Sequence, residues 1–194
     1  MKCLVIFSSK YGQTEKIATR IADNLRSSGV EVDVQPAETV GKSKHLSDYD
    51  LVVVGSPIYF GKHLRTVSQF ISENLATLNH KTSAFFSVSL SASGNPKQQS
   101  DASRAVDAFL EERGWIPKTT TSFGGALPYR KYGWLTRMLM KWISSREGGS
   151  TDTSRDHEYT DLNEVDAFAK ELLTIAAADN AQSAQTPLRN FAVN

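Results

Sequence analysis

The chain has 194 residues, enough for one domain with a buried core, and its 40% hydrophobic and 22% charged content is that of an ordinary globular protein. A formal net charge of +1 excludes the broad basic field of a nucleic-acid binder, so any electrostatic argument has to be local. A single cysteine, Cys3, excludes an intrachain disulfide, and no apolar stretch approaches the ~18 uninterrupted residues of a spanning helix.

The first apolar run is Lys2–Phe7 (KCLVIF), a strand by its β-branched and aromatic content, with Cys3 as a small core thiol. It lacks the long apolar region and small-residue cleavage site of a signal peptide, which gives a cytoplasmic expectation that leaves the membrane surface open. Next, Ile17, Ile21 and Leu25 recur every four residues and the pattern stops near Gly29, as in an amphipathic helix. Residues 30–35 (VEVDVQ) and 51–55 (LVVVG) read as strands, the second without alternation, as expected when both faces are covered. A helix is expected over 63–78, with Val67, Phe70, Ile71, Leu75 and Leu78 on one face. A strand follows over 82–90 (TSAFFSVSL), then a helix over 101–113 ending at Gly114, and a fifth strand over 118–123. The last helix spans 162–177 through Val165, Phe168, Ala169, Leu172 and Leu173.

Strand and helix alternate, which implies an α/β fold: a doubly wound, five-stranded parallel sheet in the flavodoxin-like order 2-1-3-4-5. One domain is expected over residues 1–176, with an insertion at about 128–153 and a mobile polar tail over 177–194. No internal repeat is visible.

In such a sheet a ligand binds beyond the carboxyl ends of the strands, at the switch point between strands one and three. The first loop there, SSKYGQT at 8–14, runs into a helix whose unpaired N–H groups and dipole favour an anion. Ser8, Ser9 and Thr14 add hydroxyl donors and Gly12 permits a tight turn. The loop matches neither G-x-x-x-x-G-K-[ST] nor G-x-G-x-x-G. A plain helix cap is the alternative. The second loop, SPIYFGK at 56–62, brings a rigid proline, the aromatic pair Tyr59 and Phe60, and Gly61. The third, at 87–94, offers small hydroxyl residues and accessible backbone. A phosphate cradle, an aromatic wall and a polar backbone loop together suit flavin mononucleotide (FMN).

From 129 to 146 there are five basic residues, Arg130, Lys131, Arg137, Lys141 and Arg146, and no acidic one. As a helix, this segment places Trp134, Leu135, Met138, Leu139, Trp142 and Ile143 in one apolar stripe. A core-packing helix, an anionic membrane interface and a lid over a large acidic ligand all remain open. His63 could reach a flavin edge, or be an incidental exposed histidine. His45, His80 and His157 show no clustering that would suggest metal ligands, and no metal is expected.

The three loops resemble those of flavodoxins in order and strand context. The segment GGALPYRKYGWLTRMLMKWIS, followed by GGSTDT and HEYTDL, is more specific. With FSSKYGQT, SPIYFG and SAFFSVSL, it resembles the flavodoxin-like, quinone-dependent protoporphyrinogen IX dehydrogenases over the chain to about Leu173.

That resemblance implies FMN-dependent oxidation of protoporphyrinogen IX to protoporphyrin IX in haem biosynthesis, with menaquinone or ubiquinone as acceptor. The protein would be peripheral on the cytoplasmic face of the inner membrane, held through the insertion, with homo-oligomerisation open. By the same resemblance, Ser9, Lys10, Tyr11, Gly12, Gln13 and Thr14 hold the FMN phosphate. Ile58, Tyr59, Phe60 and Gly61 line the ring, and Ser87, Ser89, Leu90 and Ser91 meet its pyrimidine edge. Thr151, Asp152 and Thr153 close over it, or simply end the insertion as turn residues. Arg130, Lys131 and Arg137 are candidates for the substrate's two propionates, because guanidinium and carboxylate pair bidentately. Solvated or lipid-facing charge is their alternative role. No catalytic base is assigned. A flavodoxin-type electron carrier, an NAD(P)H:quinone reductase and a flavin-free membrane adaptor are the competing functions.

Overall fold

In the computed structural model, which describes residues 1–40, 45–127 and 156–185, four helices flank a parallel sheet. The strands are β1 (Lys2–Phe7), β2 (Glu31–Pro36), β3 (Leu51–Tyr59), β4 (Lys62–His63), β5 (Thr82–Ser89), β6 (Thr119–Gly124), β7 (Ala126–Leu127) and β8 (His157–Glu158). The helices are α1 (Gln13–Ser27), α2 (Arg65–His80), α3 (Pro96–Arg113) and α4 (Leu162–Gln185). The main sheet runs β2-β1-β3-β5-β6, all parallel, with β4 folded back on the end of β3. Once that short hairpin is set aside, this is the expected 2-1-3-4-5 order.

Side chains alternate across the sheet and separate two cores. Cys3, Val5 and Phe7 face α1 and α4, where Ile17, Ile21, Leu25, Val165, Phe168 and Leu172 close over them. Leu4, Ile6, Val52, Val54 and Phe85 face α2 and α3, against Val67, Ile71, Phe109 and Trp115. Burial pushes the Cys3 thiol pKa up, which leaves it protonated and inert. In the centre of the sheet, Gly55 makes room for a ring: a Cβ there would sit 2.0 Å from Phe86 Cζ.

Four boundaries differ from the sequence pattern. Strand β3 does not stop at Gly55 but continues through Tyr59, because Ser56 and Pro57 stay in register with Ser87 and Val88. Residues 56–62 are therefore a strand end and a tight hairpin rather than a loop, and His63 belongs to β4, so α2 begins at Arg65. Helix α3 begins at Pro96 rather than 101. Asn95 and Gln98 form a reciprocal capping box there, with Pro96 at the first helical position. Helix α4 continues past Ala177 to Gln185, so residues 177–185 of the expected mobile tail are helical. Asp179 anchors them by accepting from Thr82 Oγ1 at 2.8 Å and Lys118 Nζ at 3.2 Å.

Candidate functional site

The carboxyl ends of β1, β3 and β5 open on one side of the sheet, and their loops meet around Tyr11. Its ring stands edge-on to Tyr59, with centroids 5.8 Å apart. Lys10 Nζ lies over both rings, 5.5 Å from Tyr11 and 6.0 Å from Tyr59. On another side, Tyr11 packs with Leu90 and Tyr159 against the buried Leu127. Tyr11 of the first loop is thus in contact with Tyr59 of the second and packs beside Leu90 of the third.

The first loop is an open anion cradle. Gly12 caps α1 in the left-handed region (φ 98°, ψ −11°), and no side chain caps the helix. A bulky residue there would carry a conformational cost, while glycine turns the chain so that the first-turn N–H groups point outward. Ser9 Oγ accepts the Gly12 N–H at 3.0 Å and shapes the loop. Thr14 is buried in the first helical turn.

Two expected donors are engaged elsewhere. Ser8 is fully buried, with Oγ 2.6 Å from both Glu38 Oε1 and Thr66 Oγ1, so it braces the scaffold and does not add to the cradle. The Gln13 amide donates to Glu158 Oε1 at 2.9 Å and Thr160 Oγ1 at 2.7 Å, so only its backbone N–H faces the cradle.

The second wall is the β3–β4 hairpin. Ile58 pairs with His63 and Tyr59 with Lys62, leaving Phe60 and Gly61 as the two turn residues, both at positive φ (51° and 74°). Primed hairpin turns require that conformation and normally take Asn or Gly. Here an aromatic residue carries the cost and its ring is 78% exposed. Tyr59 is half-buried, and burial pushes its hydroxyl pKa to about 12, with the neighbouring Tyr11 adding to the shift.

His63 is not the exposed histidine that the sequence suggested. Its ring packs 4.3 Å from Phe109 and 5.2 Å from Phe85 between centroids, and neither ring nitrogen has a hydrogen-bond partner among the described residues. Burial lowers its pKa to about 4, with the Ser56 backbone opposing weakly, so the imidazole is neutral at pH 7.

In the third loop, Ser87 is fully buried and its Oγ has no partner among the described residues, an open polar atom on the site-bearing strand. Ser89 Oγ accepts the Ala92 N–H at 3.2 Å, Leu90 packs on Leu127, and Ser91 opens a one-turn helix to Ser93. Arg130, Lys131, Arg137, Thr151, Asp152 and Thr153 lie outside the described residues. The insertion's two ends are described. They leave and return as the antiparallel ribbon β7–β8, Leu127 opposite His157 and Ala126 opposite Glu158. Gly124 is required there, since a Cβ would come 2.2 Å from the Tyr159 carbonyl oxygen. Sequence reasoning missed this ribbon and its ties to α1; the GG pair and HEYTDL were the only local signals.

Among the described residues, no group of His, Cys, Asp or Glu could hold a metal ion, and no helix is long and apolar enough to cross a membrane. An uncapped helix start behind a left-handed glycine, an aromatic hairpin and an orphaned serine hydroxyl fit a phosphorylated, flat, polar-edged cofactor. These features define a flavodoxin-type FMN protein.

A family model described as a flavodoxin domain matches residues 4–154. Oxidised Flavodoxin 1 from Bacillus cereus superposes with a TM-score of 0.56 at 19% identity, over 90% of this chain and 98% of that one, which shows the shared fold. The protein named protoporphyrinogen IX dehydrogenase [quinone] from Escherichia coli K12 is 34% identical over 172 residues, 89% of this chain and 94% of that protein. The one of the same name from Leishmania major is 32% identical over 91% of this chain and 77% of its own length. The chain belongs to the flavodoxin-like protoporphyrinogen IX dehydrogenase [quinone] family, a family of oxidoreductases.

Proposed function

We propose that this protein oxidises protoporphyrinogen IX to protoporphyrin IX in haem biosynthesis and passes the electrons to a membrane quinone, menaquinone or ubiquinone. The observation that carries the reading is the near full-length match to the Escherichia coli relative, which spans 94% of that protein and extends well beyond the core sheet. The ribbon β7–β8 supports it, since it roots the basic insertion beside Tyr11 and Leu90, at the flavin site.

Bound FMN supplies the two-electron acceptor chemistry. The chain's own residues bind and orient. Backbone N–H groups of the α1 start, shaped by Ser9 and Gly12, hold the phosphate. Ile58, Tyr59, Phe60 and Gly61 stand along the ring, with Lys10 bridging Tyr11 and Tyr59. Ser87, Ser89, Leu90 and Ser91 would meet its pyrimidine edge, and Thr151, Asp152 and Thr153 are the further residues assigned to the cofactor. Arg130, Lys131 and Arg137 take the propionates through charge-assisted hydrogen bonds. His63 packs against Phe85 and Phe109, and it is assigned a packing role. The insertion also seats the protein peripherally on the cytoplasmic face of the inner membrane. Removing the charges of Arg137 and Lys141 is expected to weaken binding to anionic vesicles and leave FMN absorbance intact.

An anaerobic mixing experiment tests the reaction. FMN-loaded protein is combined with protoporphyrinogen IX and a soluble menaquinone analogue, and flavin absorbance and porphyrin fluorescence are followed. Bleaching by the porphyrinogen, followed by quinone-dependent growth of fluorescence, is the expected result. A flavin that only a nicotinamide or a reductase bleaches would make the protein a quinone reductase or an electron carrier.

A further inference from the structure

The start of α1 is fastened to the strand that returns from the insertion. Gln13 Nε2 spends both its hydrogens there, on Glu158 Oε1 at 2.9 Å and Thr160 Oγ1 at 2.7 Å. Lys16 Nζ, one turn along the helix, reaches both oxygens of the same carboxylate at 2.7 and 2.8 Å. The Thr160 hydroxyl donates in turn to the Gly124 carbonyl at 2.5 Å, and the Tyr159 N–H donates to the Gly125 carbonyl at 3.0 Å. One residue pair, more than 140 positions from Gln13 and Lys16 in sequence, thus links the end of β6 to the helical turn assigned to the cofactor phosphate.

The arrangement has two consequences for that turn. The Gln13 side chain is drawn sideways and cannot fold over its own helix end, so the N–H pole remains open. Lys16 is paired with Glu158, so its charge is committed to that carboxylate and not to the phosphate.

We propose that Glu158 and Thr160 are positioning residues for the cofactor: through Gln13 and Lys16 they set the orientation of the first turn of α1, and with it the affinity for the FMN phosphate. This rests on the assignment of that turn to the phosphate. The effect is specific to the phosphate, so it separates FMN from riboflavin, which has the same ring and no phosphate.

The test is titration of the apoprotein with FMN and with riboflavin, read by quenching of flavin fluorescence. Thr160→Val and Gln13→Ala are expected to weaken FMN about tenfold each, while riboflavin affinity changes less than about twofold and Thr160→Ser retains FMN affinity. Glu158→Lys gives the sharper sign. If Glu158 acted only through its charge, replacing it with a cation would tighten binding of a dianion. The clasp instead requires that FMN binding weaken severalfold, and that Lys16→Glu in the same chain restore it. Equal losses for FMN and riboflavin, or tighter FMN binding by Glu158→Lys, would overturn the proposal. A wild-type chain that binds riboflavin and FMN equally would refute the phosphate assignment itself, and one that binds neither would refute the flavin reading, the clasp falling with either. A discriminating wild type with unmoved variants would refute the clasp alone.

Discussion

The two walls of the site are built on opposite principles. The cradle at the start of α1 is held from every side: Ser8 by Glu38 and Thr66, Gly12 by Ser9, and Gln13 by Glu158 and Thr160. Its difficult backbone angle falls on a glycine, where it costs little. The β3–β4 hairpin is attached by two pairs of residues, puts a phenylalanine at positive φ and exposes its ring. In the reading proposed above, the first wall would meet a phosphate whose charge stays constant, which rigidity suits. The second would meet the flavin ring, where a strained turn and exposed apolar surface are of use.

The largest expected effect lies beneath the hairpin. The His63 pKa is lowered from 6.5 to about 4, so the unfolded state takes its proton first as pH falls. Stability is therefore lost between pH 6.5 and 4, by about 3 kcal/mol at pH 4 on 1.36 kcal/mol per unit. Urea unfolding of wild type and His63→Leu at pH 7 and pH 4 checks this; equal acid losses in both would show that the imidazole is hydrated. In the cradle, Gly12→Ala is expected to lower stability by about 1–2 kcal/mol through its φ of 98° and to weaken FMN at least tenfold by fluorescence titration. An unchanged affinity would mean that the cradle is as tolerant as the hairpin.

Phe60→Asn should act in the opposite direction. Relief of the left-handed phenylalanine is expected to stabilise the fold by about 1 kcal/mol, raising Tm by roughly 2–4 °C, while porphyrinogen turnover falls. A lower Tm would instead show that the ring contributes packing. Lys10→Met, which removes the cation lying over Tyr11 and Tyr59 where the two walls meet, should cost only about 0.5 kcal/mol by thermal melting. A larger loss would mean that the walls are coupled.

Much of this was legible in the sequence because it depends on local pattern. The run LVVVG identified a strand covered on both faces, and Ile17, Ile21 and Leu25 identified the buried stripe of α1. The three site loops followed from where such strands end. What failed was either a local signal overlooked or a contact made across the fold. NPKQ at 95–98 is a readable capping box and fixes the start of α3 five residues earlier than expected. Ser8 reads as a donor because it sits beside Ser9, and only tertiary placement brings Glu38 and Thr66 to it. The same holds for Glu158 and Thr160, whose partners are far away in the chain. His63 looked exposed because it follows a turn, but β4 pairing directs it into the aromatic core.

Pairing of Leu127 with His157 holds the two ends of the insertion side by side. A polymer whose ends are already pinned can change length at little cost, since closure entropy grows only with the logarithm of length, about 0.6 kcal/mol per doubling. The pairing therefore sets little constraint on the length of chain between Leu127 and His157. A two-residue Asn-Gly turn is the connection that would close β7–β8 as an ordinary hairpin. The constraint on this part of the fold is thus the side-by-side placement of two strand ends, and not the length of chain that joins them.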